Sequence, residues 1–180
     1  MTAPLWIFGY GSLLWDPGFP VAETRIARLA DWHRSFCMSS IHHRGTETDP
    51  GLVLALDALE GACCDGLALR AEPGTEDATI AYLRERELIS SAYIETRTTV
   101  SFHDGGTQGD VLTYVINPNH VQYCQHPLED QARIIAGAVG GRGPNDEYLY
   151  NTAAHLSELG IGDADLEALV SMVRALKAAP

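Results

Sequence analysis

The chain has 180 residues, 46% of them hydrophobic, and carries 24 Asp and Glu against 12 Lys and Arg, a formal net charge of −12. That length and apolar content predict one globular domain over residues 1–180 with a full core. The acidic balance excludes a nucleic-acid partner, which needs a basic face, and an anionic membrane surface, while a local turn of N–H groups can still bind a small anionic substrate.

Leu5-Trp6-Ile7 reads as a buried strand, and it runs into Phe8-Gly9-Tyr10-Gly11-Ser12-Leu13-Leu14-Trp15. Glycine weakens a strand, but it permits φ > 0 and close approach of backbone to a ligand. Two readings of Gly9-Tyr10-Gly11 stand side by side: a turn whose N–H groups face a small anion, and a β-bulge without function. A dinucleotide fingerprint fails, because its third glycine is Leu14 and Pro17 and Pro20 bar the helix that it needs.

Val21–Arg28 alternates weakly, and Leu29–Ser39 reads as a strand with aromatic content. Ser40–Pro50 is a polar loop holding His42, His43 and Arg44-Gly45, closed by the turn signal Asp49-Pro50-Gly51. Arg44 is either solvated or a candidate to hold a carboxylate through its fork of donors. Leu52–Leu56 and Ala62–Arg70, separated by Asp57–Gly61, suggest a hairpin. Tyr93–His103 and Gly109–Ile116, joined at Asp104-Gly105-Gly106, form a further strand pair. Three helices follow. The first spans Pro127 to about Val139, with Leu128, Ala132, Ile135 and Val139 in phase; the second starts at Pro144. The third, Asp163–Lys177, faces Leu166, Leu169, Val170, Val173 and Leu176 to the core.

The helix between the strand pairs carries the candidate chemistry. Thr75 caps it, and Glu76 and Asp77 suit the positive end of its dipole. Ile80 and Leu83 define its apolar face, and Glu87 falls on the same face, seven residues after Ile80 and four after Leu83. Glu85 turns to solvent. A carboxylate on an apolar face is paired, protonated or functional. Desolvation shifts it towards the range useful for proton transfer; an ion pair with Arg84 or Arg97 is the competing reading.

The four cysteines (Cys37, Cys63, Cys64, Cys124) form no C-x-x-C, and neighbours Cys63 and Cys64 point to opposite faces of a strand. Four reduced thiols in a cytoplasmic protein are expected. The seven histidines show no metal-ligand spacing, so no metal is expected. No apolar run approaches the roughly 18 residues of a membrane span, and the N-terminus shows no secretory signal.

Taken together, these pieces resemble the ChaC-like γ-glutamylcyclotransferases, which cleave glutathione. The resemblance spans nearly the whole chain. It rests on Phe8-Gly9-Tyr10-Gly11-Ser12-Leu13 with Trp15, on His43-Arg44-Gly45 followed by Pro50-Gly51, and on Tyr82-Leu83 with Arg86-Glu87. Val111-Leu112 with Tyr114, and Gly143, Asn145 and Glu147-Tyr148-Leu149, complete it. It implies an α+β fold with a mostly antiparallel, barrel-like sheet and peripheral helices. It also implies cofactor-free conversion of glutathione to 5-oxoproline and Cys-Gly. By the same resemblance Glu87 matches the family's catalytic glutamate. Gly9, Tyr10, Gly11, Ser12 and Leu13 match the loop that holds the γ-glutamyl group, Tyr148 a tyrosine lining the substrate pocket, and Arg44 and Tyr114 further substrate positions. The family's short Gly-Gly-Tyr after the glutamate is replaced here by Leu88-Ile89-Ser90-Ser91-Ala92-Tyr93.

The chemistry agrees with that expectation. Ring closure uses the substrate's own α-amine as nucleophile, so a proton carrier and a positioning loop suffice. The same chemistry on other γ-glutamyl peptides or amines, and a non-catalytic sensor of a γ-glutamyl ligand, are the alternatives.

Overall fold

An all-apolar strand needs pairing on both edges and cover on both faces. In the computed structural model, which describes residues 3–180, β1 (Trp6–Gly9) has both. It pairs antiparallel with β3 (Gly51–Ala71), from Trp6↔Arg70 to Gly9↔Leu67, and parallel with β5 (Thr107–Ile116) at Ile7↔Leu112. β2 (Val21–Ser40) lies between β3 and β4 (Tyr93–Phe102), and β4 pairs with β5. The order β1-β3-β2-β4-β5 closes on itself. The sheet is therefore the mostly antiparallel barrel expected, with a parallel seam between β1 and β5.

The chain divides into two compact units: Ala55–His120 with the segment up to Arg34, and Ser35–Leu54 with Val121–Pro180. The first holds the core of Ile7, Phe8, Leu67, Ala68, Val111 and Leu112. It also holds α1 (Glu76–Glu87), which buries Leu83 completely. The second contains α2 (Leu128–Gly137), the two-residue strands β6 (Val139–Gly140) and β7 (Gly143–Pro144), α3 (Asn145–Glu158) and α4 (Ala164–Ala178). Phe36, Leu52, Leu54, Ile135, Leu149, Leu169 and Val173 form its core. α4 starts as its sequence predicts, with the Asp163 carboxylate accepting the Leu166 N–H at 3.1 Å.

Several local expectations are corrected. Leu52–Leu56 and Ala62–Arg70 are not a hairpin but parts of the single strand β3, and Val21–Ser39 lies in the single strand β2. Gly61, at φ +84, and Asp31, at φ +67, bend the two strands without ending them, and the Asp31 carboxylate accepts the Gly61 N–H at 3.0 Å. The glycine thus serves a kink rather than a reversal. Thr75 does not cap α1: its hydroxyl donates to the Glu72 carbonyl, and the Glu76 carboxylate receives the Gly74 N–H. Val139 falls outside α2, in β6, and is exposed; Leu176 is exposed because the core-facing stripe of α4 ends at Val173.

Candidate active site

In the first unit, β1 delivers the backbone into Tyr10-Gly11 and then a 3₁₀ turn, Ser12–Leu14, whose first internal bond runs from the Leu14 N–H to the Gly11 carbonyl. The N–H groups of Gly11, Ser12 and Leu13 precede that bond, and no side chain caps the turn. Gly9 packs closely: a Cβ there would lie 3.0 Å from the Leu13 Cβ, which would have to give by a few tenths of an ångström. Positive φ is not the reason at Gly11, whose φ is −136°.

Tyr10 is a strut. Its hydroxyl donates to the Tyr114 carbonyl at 2.6 Å, and its own carbonyl accepts from the buried Arg34 guanidinium at 3.2 Å. Arg34 also donates to the Asp65 carbonyl at 2.8 Å. Sequence reasoning passed over Arg34, because an arginine in a strand carries no local sign of burial.

Glu87 is the last residue of α1, and its side chain is only 16% exposed, whereas Glu85 is exposed. The helical phase of Ile80 and Leu83 therefore placed the right glutamate inward. An ion pair is present, with Arg86 as a partner. Arg86 holds Glu87, with Nε 3.4 Å from Oε1; Arg84 pairs with Glu95 and Arg97 with Asp110.

Tyr114 on β5 donates its hydroxyl to Glu95 on β4 at 3.0 Å, across a register pair of the two strands. Burial, then the Glu95 hydrogen bond, then the charges of Glu95 and Glu87, push that hydroxyl well above the usual tyrosine range, so it stays protonated. Arg84 forks onto both Glu95 oxygens at 3.0 and 2.9 Å and, as the largest influence, holds the Glu95 carboxyl below its ordinary 4.5. A carboxyl depressed in the folded state stabilises the fold above its unfolded value, and that contribution fades as pH falls through the lower folded value. Glu95→Gln is expected to be less stable than the wild type at neutral pH, with the gap narrowing as pH falls below the ordinary carboxyl value of 4.5 and through the lower folded one. Urea unfolding at a series of pH values reads this directly.

The second unit holds Arg44 and Tyr148. Arg44-Gly45, Gly51 and Gly140 are pressed together backbone to backbone. A Cβ at Gly45 would lie 2.0 Å from the Gly51 nitrogen, one at Gly51 2.3 Å from the Arg44 carbonyl oxygen, and one at Gly140 2.4 Å from the Gly45 nitrogen. Arg44 is buried: it donates to the Pro144 carbonyl at 3.1 Å, and its guanidinium carbon lies 5.5 Å from the Tyr148 ring centroid. Burial lowers its pKa from the ordinary value, with the charge of Glu147 opposing. The Tyr148 hydroxyl accepts the Leu54 N–H at 3.2 Å, and its ring meets Phe36 edge-on.

Asn145, fully buried at the start of α3, binds the Leu52 backbone twice: Oδ1 accepts its N–H and Nδ2 donates to its carbonyl, both at 2.8 Å. Asn145→Ala leaves both groups unpaired and is expected to cost about 2 to 4 kcal/mol in urea unfolding.

Among the described residues, no three His, Cys, Asp or Glu side chains gather as a metal site, and no helix is long and apolar enough to cross a membrane.

A closed five-stranded barrel with peripheral helices is shared with a γ-glutamylcyclotransferase specific to glutathione from yeast. That crystal structure superposes with a TM-score of 0.88 at 19% identity and 98% coverage of both chains. The fold is therefore of the γ-glutamylcyclotransferase class. Residues 5–176 match the family model described as ChaC-like protein. The glutathione-specific γ-glutamylcyclotransferase of Escherichia coli K12 is 35% identical, over 97% of this chain and 75% of its own length. The human glutathione-specific γ-glutamylcyclotransferase 1 is 32% identical, over 94% and 78%, and γ-glutamylcyclotransferase 2-3 of Arabidopsis thaliana 33%, over 94% and 88%. The chain belongs to the ChaC-like family.

Proposed function

We propose that this chain is a glutathione-specific γ-glutamylcyclotransferase, a lyase that turns glutathione into 5-oxoproline and Cys-Gly, with Glu87 as general acid and base. The observation that supports it most is the link, within one unit, between the inward Glu87 carboxylate and the Gly9–Leu13 turn through one arginine.

The reaction follows from those parts. The α-ammonium of the γ-glutamyl group gives a proton to Glu87, and the freed amine attacks the δ-carbonyl carbon. The N–H groups of Gly11, Ser12 and Leu13 hold the α-carboxylate or the developing oxyanion. The amide bond to cysteine then breaks as Glu87 returns its proton to the departing amine, and the second proton of the attacking nitrogen passes by way of Glu87 to the same amine, leaving the lactam N–H of 5-oxoproline and the ammonium of Cys-Gly. Tyr114, a protonated hydroxyl in the same unit as Glu87, completes the proposed substrate contacts there, and the family resemblance alone marks Arg44 and Tyr148 as further substrate residues. The chain's own groups supply every proton movement in this scheme, so it runs without a cofactor. The four free cysteines suit a reducing, cytoplasmic compartment.

Steady-state rates on glutathione and on γ-glutamyl amino acids test the substrate. We expect kcat/KM for glutathione to exceed the others by about tenfold or more. Equal values would replace glutathione specificity with a general γ-glutamyl preference.

A further inference from the structure

We infer that Arg86 is a positioning residue, whose single guanidinium sets the Glu87 carboxylate against the Gly11–Leu13 turn and aims the Ser12 hydroxyl. The inference rests on the reading of Glu87 as proton carrier.

An arginine in the last turn of a surface helix ordinarily reaches into water, where the helix dipole favours it. The Arg86 side chain is instead 6% exposed. Nη1 donates to the carbonyls of Asp16 at 2.6 Å and Pro17 at 3.2 Å, and lies 3.1 Å from the Tyr82 hydroxyl. Nη2 donates to the Ser12 hydroxyl oxygen at 3.0 Å, and Nε faces Glu87. A buried cation is costly unless paired and hydrogen-bonded, and here every edge of the guanidinium has a partner.

The plane is what matters. Guanidinium donors lie in one rigid fork, so fixing two edges fixes the third. The Asp16 and Pro17 carbonyls hold one edge, and the other two meet the carboxylate and the hydroxyl. The turn beneath is itself tight: Gly18 has φ +75, and a Cβ there would lie 2.0 Å from the Tyr82 hydroxyl. A clamp for α1 alone would need only the two carbonyls.

Ser12 gains a direction from this arrangement. Its oxygen accepts from Arg86, so its single proton points away from the guanidinium. That leaves Ser12 a donor for the carboxylate of the γ-glutamyl group. One residue thus sets both the proton carrier and a ligand donor, and a lysine, as a point charge, cannot reproduce the fork.

The test compares wild type, Arg86→Ala and Arg86→Lys on glutathione, each checked by circular dichroism and thermal unfolding. The loss of kcat is expected to be about a hundredfold for Arg86→Ala and about tenfold for Arg86→Lys, with smaller changes in KM. Methylguanidinium should restore Arg86→Ala saturably, and urea, planar but uncharged, should not. A folded Arg86→Ala with wild-type kcat, or with a loss that methylguanidinium leaves untouched, overturns the inference. If Arg86→Ala does not fold, Arg86→Lys decides, and wild-type kcat there overturns it. A wild-type protein without turnover overturns the functional reading itself, and the inference with it, which separates the two failures.

Discussion

Glu87→Gln is expected to fold like the wild type and to lose turnover of glutathione by about three orders of magnitude, the scale of a positioned general base. The amide keeps the size of the carboxylate and can still meet Arg86, so the ion pair is weakened without a steric change. It cannot take a proton from the substrate ammonium. The substrate then stays protonated and cannot attack its own δ-carbon. The loss should fall on kcat, because the turn at Gly11–Leu13, which holds the glutamyl group in this account, is untouched. Circular dichroism and thermal unfolding establish that the variant is folded, and product formation measures the loss. A well-folded Glu87→Gln protein with wild-type turnover would remove Glu87 from the chemistry and leave Arg86 without its proposed purpose.

The second large effect is structural. Gly45→Ala puts a methyl group where the Gly51 nitrogen stands at 2.0 Å, the Ser40 carbonyl oxygen at 2.5 Å and the Pro50 carbonyl carbon at 2.7 Å. All three are backbone atoms, so no side-chain rotation relieves the clash. The expected cost is about 4 kcal/mol or more, which lowers the melting temperature by roughly 8 to 16 °C in a chain of this size. Gly61→Ala is a useful contrast. A Cβ there meets nothing within 4 Å, so only its φ of +84 opposes the change. Its penalty, about 1 kcal/mol, is that of the left-handed backbone alone. Thermal unfolding of the two variants under one set of conditions separates contact from conformation.

Much of the fold was legible because the local patterns were strong. The apolar run at Leu5–Phe8, the strand pair about Asp104-Gly105-Gly106 and the amphipathic α4 each follow from periodicity and turn chemistry. The strand β2, which has no glycine, reads as two because its weak alternation gives way to an aromatic-bearing run at Leu29, while the long strand β3 reads as two because a glycine that kinks a strand looks locally like one that ends it. At Gly61 the partner that decides between the two is Asp31, thirty residues earlier.

The candidate site shows the same division. Helical phase alone turned Glu87 inward and Glu85 outward. Arg86 was missed as its partner because adjacent residues on a helix do not share a face; a long side chain folded back over the helix end defeats that rule. Gly45 and Gly51 lie in one loop that a turn signal marks, but their purpose also depends on Gly140, far later in the chain, whose backbone packs against Arg44-Gly45. Tyr10 was marked by resemblance as a substrate residue, and the structure engages both its hydroxyl and its carbonyl in holding the turn.

The most direct test of the account is to incubate the purified protein with reduced glutathione in the presence of EDTA and follow the products by mass spectrometry. The account predicts 5-oxoproline and Cys-Gly in equal amounts, formed at the same rate with and without the chelator. Intact glutathione after incubation with folded protein, or free glutamate in place of 5-oxoproline, would contradict it.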